Sequence, residues 1–321
     1  MQKNNSHLGK CLIVCKFLVD FKILYLCIVL SFLYACNDNG PTDPCIDCPI
    51  DFRVTDFEPA WSPDGNTIAY VHGDTIPSKT GIYLINPDGT NNRIWYASIS
   101  AYSPSWSPNG KWITFSDNAQ IYKRKLDGDS VTQLTFEGRN FFPDWSPDGQ
   151  WIVYDSNLDD TKYDIWIMKS DGTENKNISG ESDSSDQGGW RLPDWSPDGN
   201  HIVHSRYISG VDGKEIFRMD TSGKNPVRLT FNNLDDSYPV YSPDGTKIAF
   251  TSYPQGLASQ TQIWVIDTSG SNLNQLTTTQ GYTCDWSPDG EWIVYTDSRA
   301  SSGRLWIMRK DGSNKHQLTF D

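Results

Sequence analysis

A chain of 321 residues with 40 Asp and Glu against 27 Lys and Arg carries a formal charge of −13, and 13% of its residues are aromatic. So acidic a chain, without clustered Lys and Arg, excludes a phosphate-reading nucleic-acid binder and disfavours anionic substrates. Its 25 Gly and 18 Pro among so many aromatics predict short strands joined by tight turns, an all-β protein of one or two domains.

Residues 1–35 read as an address. Lys3, Lys10 and Lys16 make a basic stretch, and the apolar run 23–34 has the length of a secretory core, short of the about 20 residues of a bilayer span. An uncleaved membrane helix is the alternative, and either reading puts the rest of the chain outside the cytoplasm. Leu33-Tyr34-Ala35-Cys36 resembles a bacterial lipobox. By that resemblance Cys36 is lipidated and anchors the protein in the bacterial cell envelope, at the outer membrane or on a periplasmic face. Losing 1–35 removes four Lys and one Asp and takes the charge to −16, so acyl chains and not headgroup charge are expected to hold the protein at the membrane.

Residues 36–51 are polar, rich in Asp, Pro and Asn, and lack a hydrophobic period, so they read as a flexible tether reaching at most about 50 Å. Cys45 and Cys48 lie in it. A local disulfide is open to them in an oxidising envelope, whereas redox chemistry would need a βαβ unit and zinc would need further ligands.

From residue 52 to 321 one block recurs. Trp61-Ser-Pro-Asp-Gly returns at 106–110 with Asn109, at 145–149, 195–199, 241–245 with Tyr241, and 286–290, spaced by 45, 39, 50, 46 and 45 residues. Each block predicts a tight hairpin: Pro presets φ, Asp bonds its own backbone, and Gly accepts positive φ. A second strand follows with apolar residues two apart, as Ile68 and Tyr70 or Ile152 and Tyr154, then an almost wholly apolar third strand, as at 165–168. A fourth ends in Leu-Thr at 134, 229, 276 and 318. Six such units predict a six-bladed β-propeller of four-stranded antiparallel blades. Intervals within the two hairpins of a unit are invariant, while the links between strands two and three and between units vary, so one face is constant and the other diversified. Binding is expected on the variable face. At the ring's closure, Arg53-Val54-Thr55 and Gln317-Leu318-Thr319 compete for the outer place of the last blade, and closure by the blade's own residues is favoured.

The Trp/Tyr-Ser-Pro-Asp/Asn-Gly blocks resemble the WD-like propeller repeat of TolB and of the N-terminal propeller of dipeptidyl peptidase IV-type enzymes. The resemblance implies a propeller from 52 to 321. TolB carries an α/β domain before its propeller, where a tether is expected here, and the peptidases append a hydrolase domain. No Gly-x-Ser-x-Gly nucleophile elbow occurs.

Eleven of the 13 Trp fall at repeat positions and are expected in blade cores. His204 takes the place of a core Tyr or Phe, and Cys284 the place of Pro59, Pro104, Pro143, Pro193 and Pro239, so both are expected buried. Asp144, Asp194 and Asp285 precede the innermost Trp of three blades. Hydrogen bonds to nearby amides are the favoured role and no metal is expected, a partial ring offering oxygen ligands to a cation being the alternative. Off-repeat residues on the variable connections are the candidate partner-binding set: Trp190 and Arg191, Phe141 and Phe142, Asp235, Asp236, Tyr238 and Tyr282. Anchoring of their own loops is the alternative. The expectation is a monomeric, cofactor-free, non-catalytic lipoprotein that binds a protein or peptide. The alternative is a carbohydrate-binding or glycan-processing propeller using Trp190, Tyr238 and Asp236.

Overall fold

The computed structural model describes residues 54–128, 130–159, 162–179, 191–208, 213–254, 260–297 and 303–320. Within them the chain forms six four-stranded sheets, each from consecutive strands. The blades span 55–97, 101–133, 140–177, 194–228, 234–275 and 282–317, and every strand pair is antiparallel. A 3₁₀ turn spans Pro77–Lys79, and among the described residues no helix is long and apolar enough to cross a membrane. The signal and tether, with Cys36, Cys45 and Cys48, lie outside the described residues, as does Trp190.

Each repeated block builds its hairpin as its residue types require. Ser62 Oγ donates to Asp64 Oδ1 at 2.6 Å, the Asn66 amide donates to the same oxygen at 3.0 Å, and the Thr67 amide closes on Ser62 Oγ at 2.9 Å. Gly65 takes φ +75, and a Cβ there would stand 3.3 Å from Pro288 Cγ of the last blade. The same Gly-on-Pro contact recurs from each blade to the one before it, as Gly110 on Pro63 and Gly199 on Pro147. The hairpin turns therefore form a continuous ring on the constant face.

The Leu-Thr strand ends have an equally local cause. Thr135 Oγ1 accepts the amide of Ile121 at 2.8 Å, Thr230 Oγ1 that of Ile216 at 2.9 Å, and Thr319 Oγ1 that of Leu305 at 3.0 Å, so the hydroxyl satisfies an amide near the start of strand three. Leu134, Leu229 and Leu318 are buried beside them.

The core is divided among the seams between blades. Trp61, Ile68, Tyr70 and Ile85 of blade 1 pack against Val294, Leu305, Ile307 and Leu318 of blade 6, and equivalent clusters fill the other junctions. The last blade is completed by its own strand His316–Gln317, while Thr55 opens the inner strand of blade 1. The ring is closed by side contacts: the Asp56 amide donates to the Gly303 carbonyl at 2.9 Å, and Thr319 Oγ1 donates to Asp56 Oδ2 at 2.6 Å.

Candidate binding site at the channel end

The inner strands line the central channel, and each is distorted at one place. Glu58, Ser103, Phe142, Leu192 and Tyr238 stand three residues before the block Trp or Tyr, and all have φ between 51 and 53. Thr283 takes the sixth place, and strand pairing slips there as it does in blades 1, 2, 3 and 5. The slips in these five blades are β-bulges, which bend a strand and re-aim a side chain, and Leu192 takes the same backbone just before the inner strand of blade 4. Five of the six residues precede proline, a context that drives the backbone toward extended conformations, so a left-handed residue there is strained.

The bulges place Glu58, Ser103, Phe142, Leu192, Tyr238 and Thr283 around the top of a recess of about 310 Å³. It runs down the channel to Pro63, at the level of the hairpin turns. At the variable-face end an aromatic collar spans blades 3, 5 and 6. Phe142 and Tyr238 meet edge-on with ring centroids 6.0 Å apart, and Tyr238 and Tyr282 at 5.0 Å, where Tyr282 Oη donates to Tyr238 Oη at 2.7 Å. Phe141 continues the series, 6.5 Å from Phe142 and 5.9 Å from Tyr163. Phe57 and Tyr102 form a second pair on blades 1 and 2, at 6.3 Å. Glu58 bridges its neighbours: its carboxylate accepts the Ser103 amide at 2.7 Å and its own amide donates to Thr283 Oγ1 at 3.1 Å.

Below the collar, Asp144, Asp194 and Asp285 line the recess. Each carboxylate accepts the amide of the block aromatic of the following blade: Trp195 on Asp144 at 2.9 Å, Tyr241 on Asp194 at 2.8 Å, Trp61 on Asp285 at 2.5 Å. Burial pushes Asp144 up to about 6 and Asp285 up to about 7, and Asp194 is raised well above its ordinary value by burial and then by the Asp144 carboxylate. These oxygens are engaged in inter-blade bonds, and among the described residues no group of three His, Cys, Asp or Glu could hold a metal ion.

The remaining candidates divide by burial. Arg191 is 5% exposed; its guanidinium meets Asp164 at 3.2 Å and Nε donates to the Tyr163 carbonyl at 2.8 Å. Asp236 is fully buried, accepting from Ser252 Oγ at 2.6 Å and Asn232 Nδ2 at 2.9 Å, and burial pushes it up to about 6. Asp235 is buried with Ser237 Oγ donating to it at 3.1 Å and Lys214 4.0 Å away. These three are held in the fold's own polar network. Phe141, Phe142, Tyr238 and Tyr282 are half-buried and come together. His204 is buried and stacked on Phe217 at 5.9 Å, where burial pushes it down to about 3, and Cys284 is a buried free thiol.

Sequence reasoning passed over Asp155. It stands where the other blades carry Ser116, Ser205, Thr251, Thr296 or Val71, and it is completely buried. Its Oδ2 accepts the amides of Arg191 at 2.9 Å and Leu192 at 3.1 Å, which fixes the entry of blade 4 into the channel wall. Burial pushes this carboxyl up to about 7. The available signal was an acid in a hydroxyl position of an otherwise regular strand.

The TolB beta propeller domain family matches residues 50–190 and 181–321. The chain belongs to the TolB beta propeller family. No curated protein matches it in sequence. TolB from Acinetobacter baumannii is similar in structure, with a TM-score of 0.71 at 26% identity over 80% of this chain, which spans 64% of that protein's length. The putative TolB from Agrobacterium tumefaciens is similar with a TM-score of 0.62 at 24% identity, covering 71% of this chain and 84% of that one. The propeller of the Trilobed protease from Pyrococcus furiosus, described as having an open velcro topology, shares the fold with a TM-score of 0.57 at 15% identity, covering 83% of this chain and 98% of that one.

Proposed function

We propose that this chain is a non-catalytic, lipid-anchored propeller of the bacterial cell envelope that captures an extended segment of a protein or peptide partner over the collar of Phe141, Phe142, Tyr238 and Tyr282. The observation that carries the reading is the strained bulge at Phe142 and Tyr238, φ 52 and 53, which turns two large rings toward each other over a recess where a regular strand would alternate them away. Large, stiff aromatic rings above a recess offer apolar area at small entropic cost, as binding hot spots do. The channel carboxylates are already committed to backbone amides, which leaves the collar as the recognising element. The signal at 1–35 and the lipobox at Cys36 supply the address and the anchor.

The test is affinity capture from envelope extract with wild type and with a Phe142→Ser, Tyr238→Ser double variant, followed by titration of a synthetic peptide from the captured protein. Retention of partner by the wild type with loss in the double variant supports the reading. Equal capture by both overturns it. Selective binding on a glycan array with no peptide affinity would transfer the site to the carbohydrate alternative.

A further inference from the structure

Lys214 opens strand three of blade 4, and Asp235 lies in the inner strand of blade 5. The two strands meet closely: a Cβ on Gly213 would stand 2.5 Å from the Leu234 carbonyl oxygen, so the backbones hold the two neighbouring side chains together across the blade junction. Lys214 Nζ is 4.0 Å from Asp235 Oδ1, and the side chains are only 12% and 9% exposed. A buried cation and carboxylate that stay ionised draw together to about 2.7–2.9 Å. Arg228 and Glu215 do so, at 2.8 Å, whereas Lys214 and Asp235 do not. Aromatic rings flank the pair: Tyr207 lies 5.3 Å from Nζ, and Tyr253 stands opposite Asp235 in the strand register. Asp155, from strand two of blade 3, is near enough to Lys214 for each to shift the other's ionisation. Its Oδ2 accepts the Arg191 and Leu192 amides, while its Oδ1 is buried with no hydrogen-bond partner among the described residues. Burial holds Lys214 below the usual ammonium range, toward the neutral amine, and Asp155 up at about 7, toward the carboxylic acid.

We propose that Lys214 and Asp235 form a spontaneous isopeptide bond that joins blades 4 and 5, with Asp155 as the proton carrier. A bond-forming step needs its reacting atoms about 3–3.5 Å apart, and the pair is held close to that separation. The Nζ lone pair attacks Cγ of the protonated Asp235 carboxyl and the C–N bond forms. Ser237 Oγ, which donates to Asp235 Oδ1 at 3.1 Å, polarises the carboxyl and stays with that atom as the amide oxygen. Asp155 gives its proton to the departing hydroxyl, which leaves as water when the C–O bond breaks, and its carboxylate then takes a proton from the nitrogen. Asp155 is restored, one water is released, and no oxidant, nucleotide or other co-reactant is consumed. The product amide is uncharged, so the cost of holding two buried ions disappears.

This inference goes beyond partner capture and is tested without a partner. The full chain is purified, reduced, denatured and digested with trypsin, and the peptides are mapped by tandem mass spectrometry. Trypsin does not cut after an acylated lysine, so the expected product is a branched peptide joining 207–218 to 229–247, lighter by one water than its two linear parts together. Linear peptides cut after Lys214, with no branched form, would overturn the proposal. So would a loss of water found only at an Asp-Gly turn. Asp235→Asn is expected to give the same branched peptide, by loss of ammonia in place of water. Asp155→Asn keeps an oxygen for the Arg191 and Leu192 amides but removes the proton carrier. At circular dichroism matching wild type, its branched yield after refolding should fall at least about tenfold. A yield equal to wild type would overturn the role given to Asp155. The wild-type digest decides the bond itself whether or not either variant folds.

Discussion

Phe142 and Tyr238 touch edge-to-face, 6.0 Å between centroids, although a whole blade separates the strands that carry them. The contact crosses the channel, and the left-handed backbone at both residues makes it possible. Truncating either ring with Ala is expected to weaken partner affinity at least about tenfold, in line with the loss of a buried aromatic anchor. Tyr282→Phe, which removes only the 2.7 Å hydroxyl bond to Tyr238, should cost less than either. Titration calorimetry with the captured partner's peptide measures all three; a Tyr282→Phe loss equal to that of Tyr238→Ala would contradict this ranking.

Strain at the bulges is testable away from the aromatics. Ser103 sits at φ 52 before Pro104, and Ser105 lies two residues on in ordinary strand geometry. A β-branched residue is poorly compatible with positive φ, so Ser103→Val is expected to destabilise by roughly 1–3 kcal/mol. Ser105→Val loses its 3.0 Å bond to Asp144 without that strain and should cost about 1 kcal/mol. Urea denaturation of the two variants decides it, and equal midpoints would mean the bulge stores no strain.

Gly223 is the least replaceable turn glycine. At φ +80 a Cβ would stand 1.5 Å from the Ile178 carbonyl oxygen of the preceding blade. Gly223→Ala must push two blades apart, and a loss of at least about 3 kcal/mol or failure to fold is expected. In Gly128→Ala the backbone is outside the left-handed region and the nearest atom is Lys125 Cβ at 3.1 Å, a contact relieved by a shift of a few tenths of an ångström, so a much smaller loss than at Gly223 is expected. Thermal melts of both variants compare the two sites directly.

Arg191 separates anchoring from recognition. Removing it leaves Asp164 buried at 3% exposure without its cation, so Arg191→Ala is expected to cost about 3–5 kcal/mol of stability. At a temperature where that variant stays folded, peptide affinity should be within about threefold of wild type, since the guanidinium faces the fold. Normal stability with lost affinity would place Arg191 in the binding surface after all.

The channel carboxylates make stability depend on pH. Asp144 is held at about 6 in the folded protein against 3.8 in its absence, so between those values the native state binds more protons than the unfolded chain. Its contribution is therefore fully present below about pH 4 and is lost as pH rises through about 6. Asp144→Asn keeps an oxygen for the Trp195 amide and removes the titration. Melting temperatures of wild type relative to this variant should fall from about pH 4 to 7.5. His204, held neutral at about 3, works in the opposite direction in both proteins and cancels in the comparison. Parallel curves would show that Asp144 is not strained by burial.

The repeated Trp-Ser-Pro-Asp-Gly block made the blades legible because every contact it needs lies within six residues, as the Ser62, Asp64 and Thr67 bonds show. The closing blade was legible for the same reason, since Thr319 caps Leu305 in its own hairpin. The collar was legible only as a set of off-repeat aromatics. Its geometry depends on bulges at residues before proline, where local preference points to extended backbone, so only the closed ring can impose it. Arg191 read as a surface hot spot because its partners Asp164 and Asp155 lie 27 and 36 residues away. Burial of Asp235 and Asp236 depended on Lys214, Asn232 and Ser252, whose positions no local pattern announced.

Because Gly65 rests on Pro288 as its counterparts do at the other blade junctions, and Trp61 bonds Asp285 as Trp195 and Tyr241 bond Asp144 and Asp194, the seam between blades 6 and 1 is a break in the covalent chain but not in the wheel of contacts. No strand is shared across it, so parting the seam needs no strand to be pulled from a sheet. It is the one junction where two neighbouring blades can separate without dragging a connecting loop. Hydrogen exchange at Trp61 and Asp56, whose amides bond across the seam to Asp285 and Gly303, would register that opening ahead of the equivalent amides elsewhere in the ring.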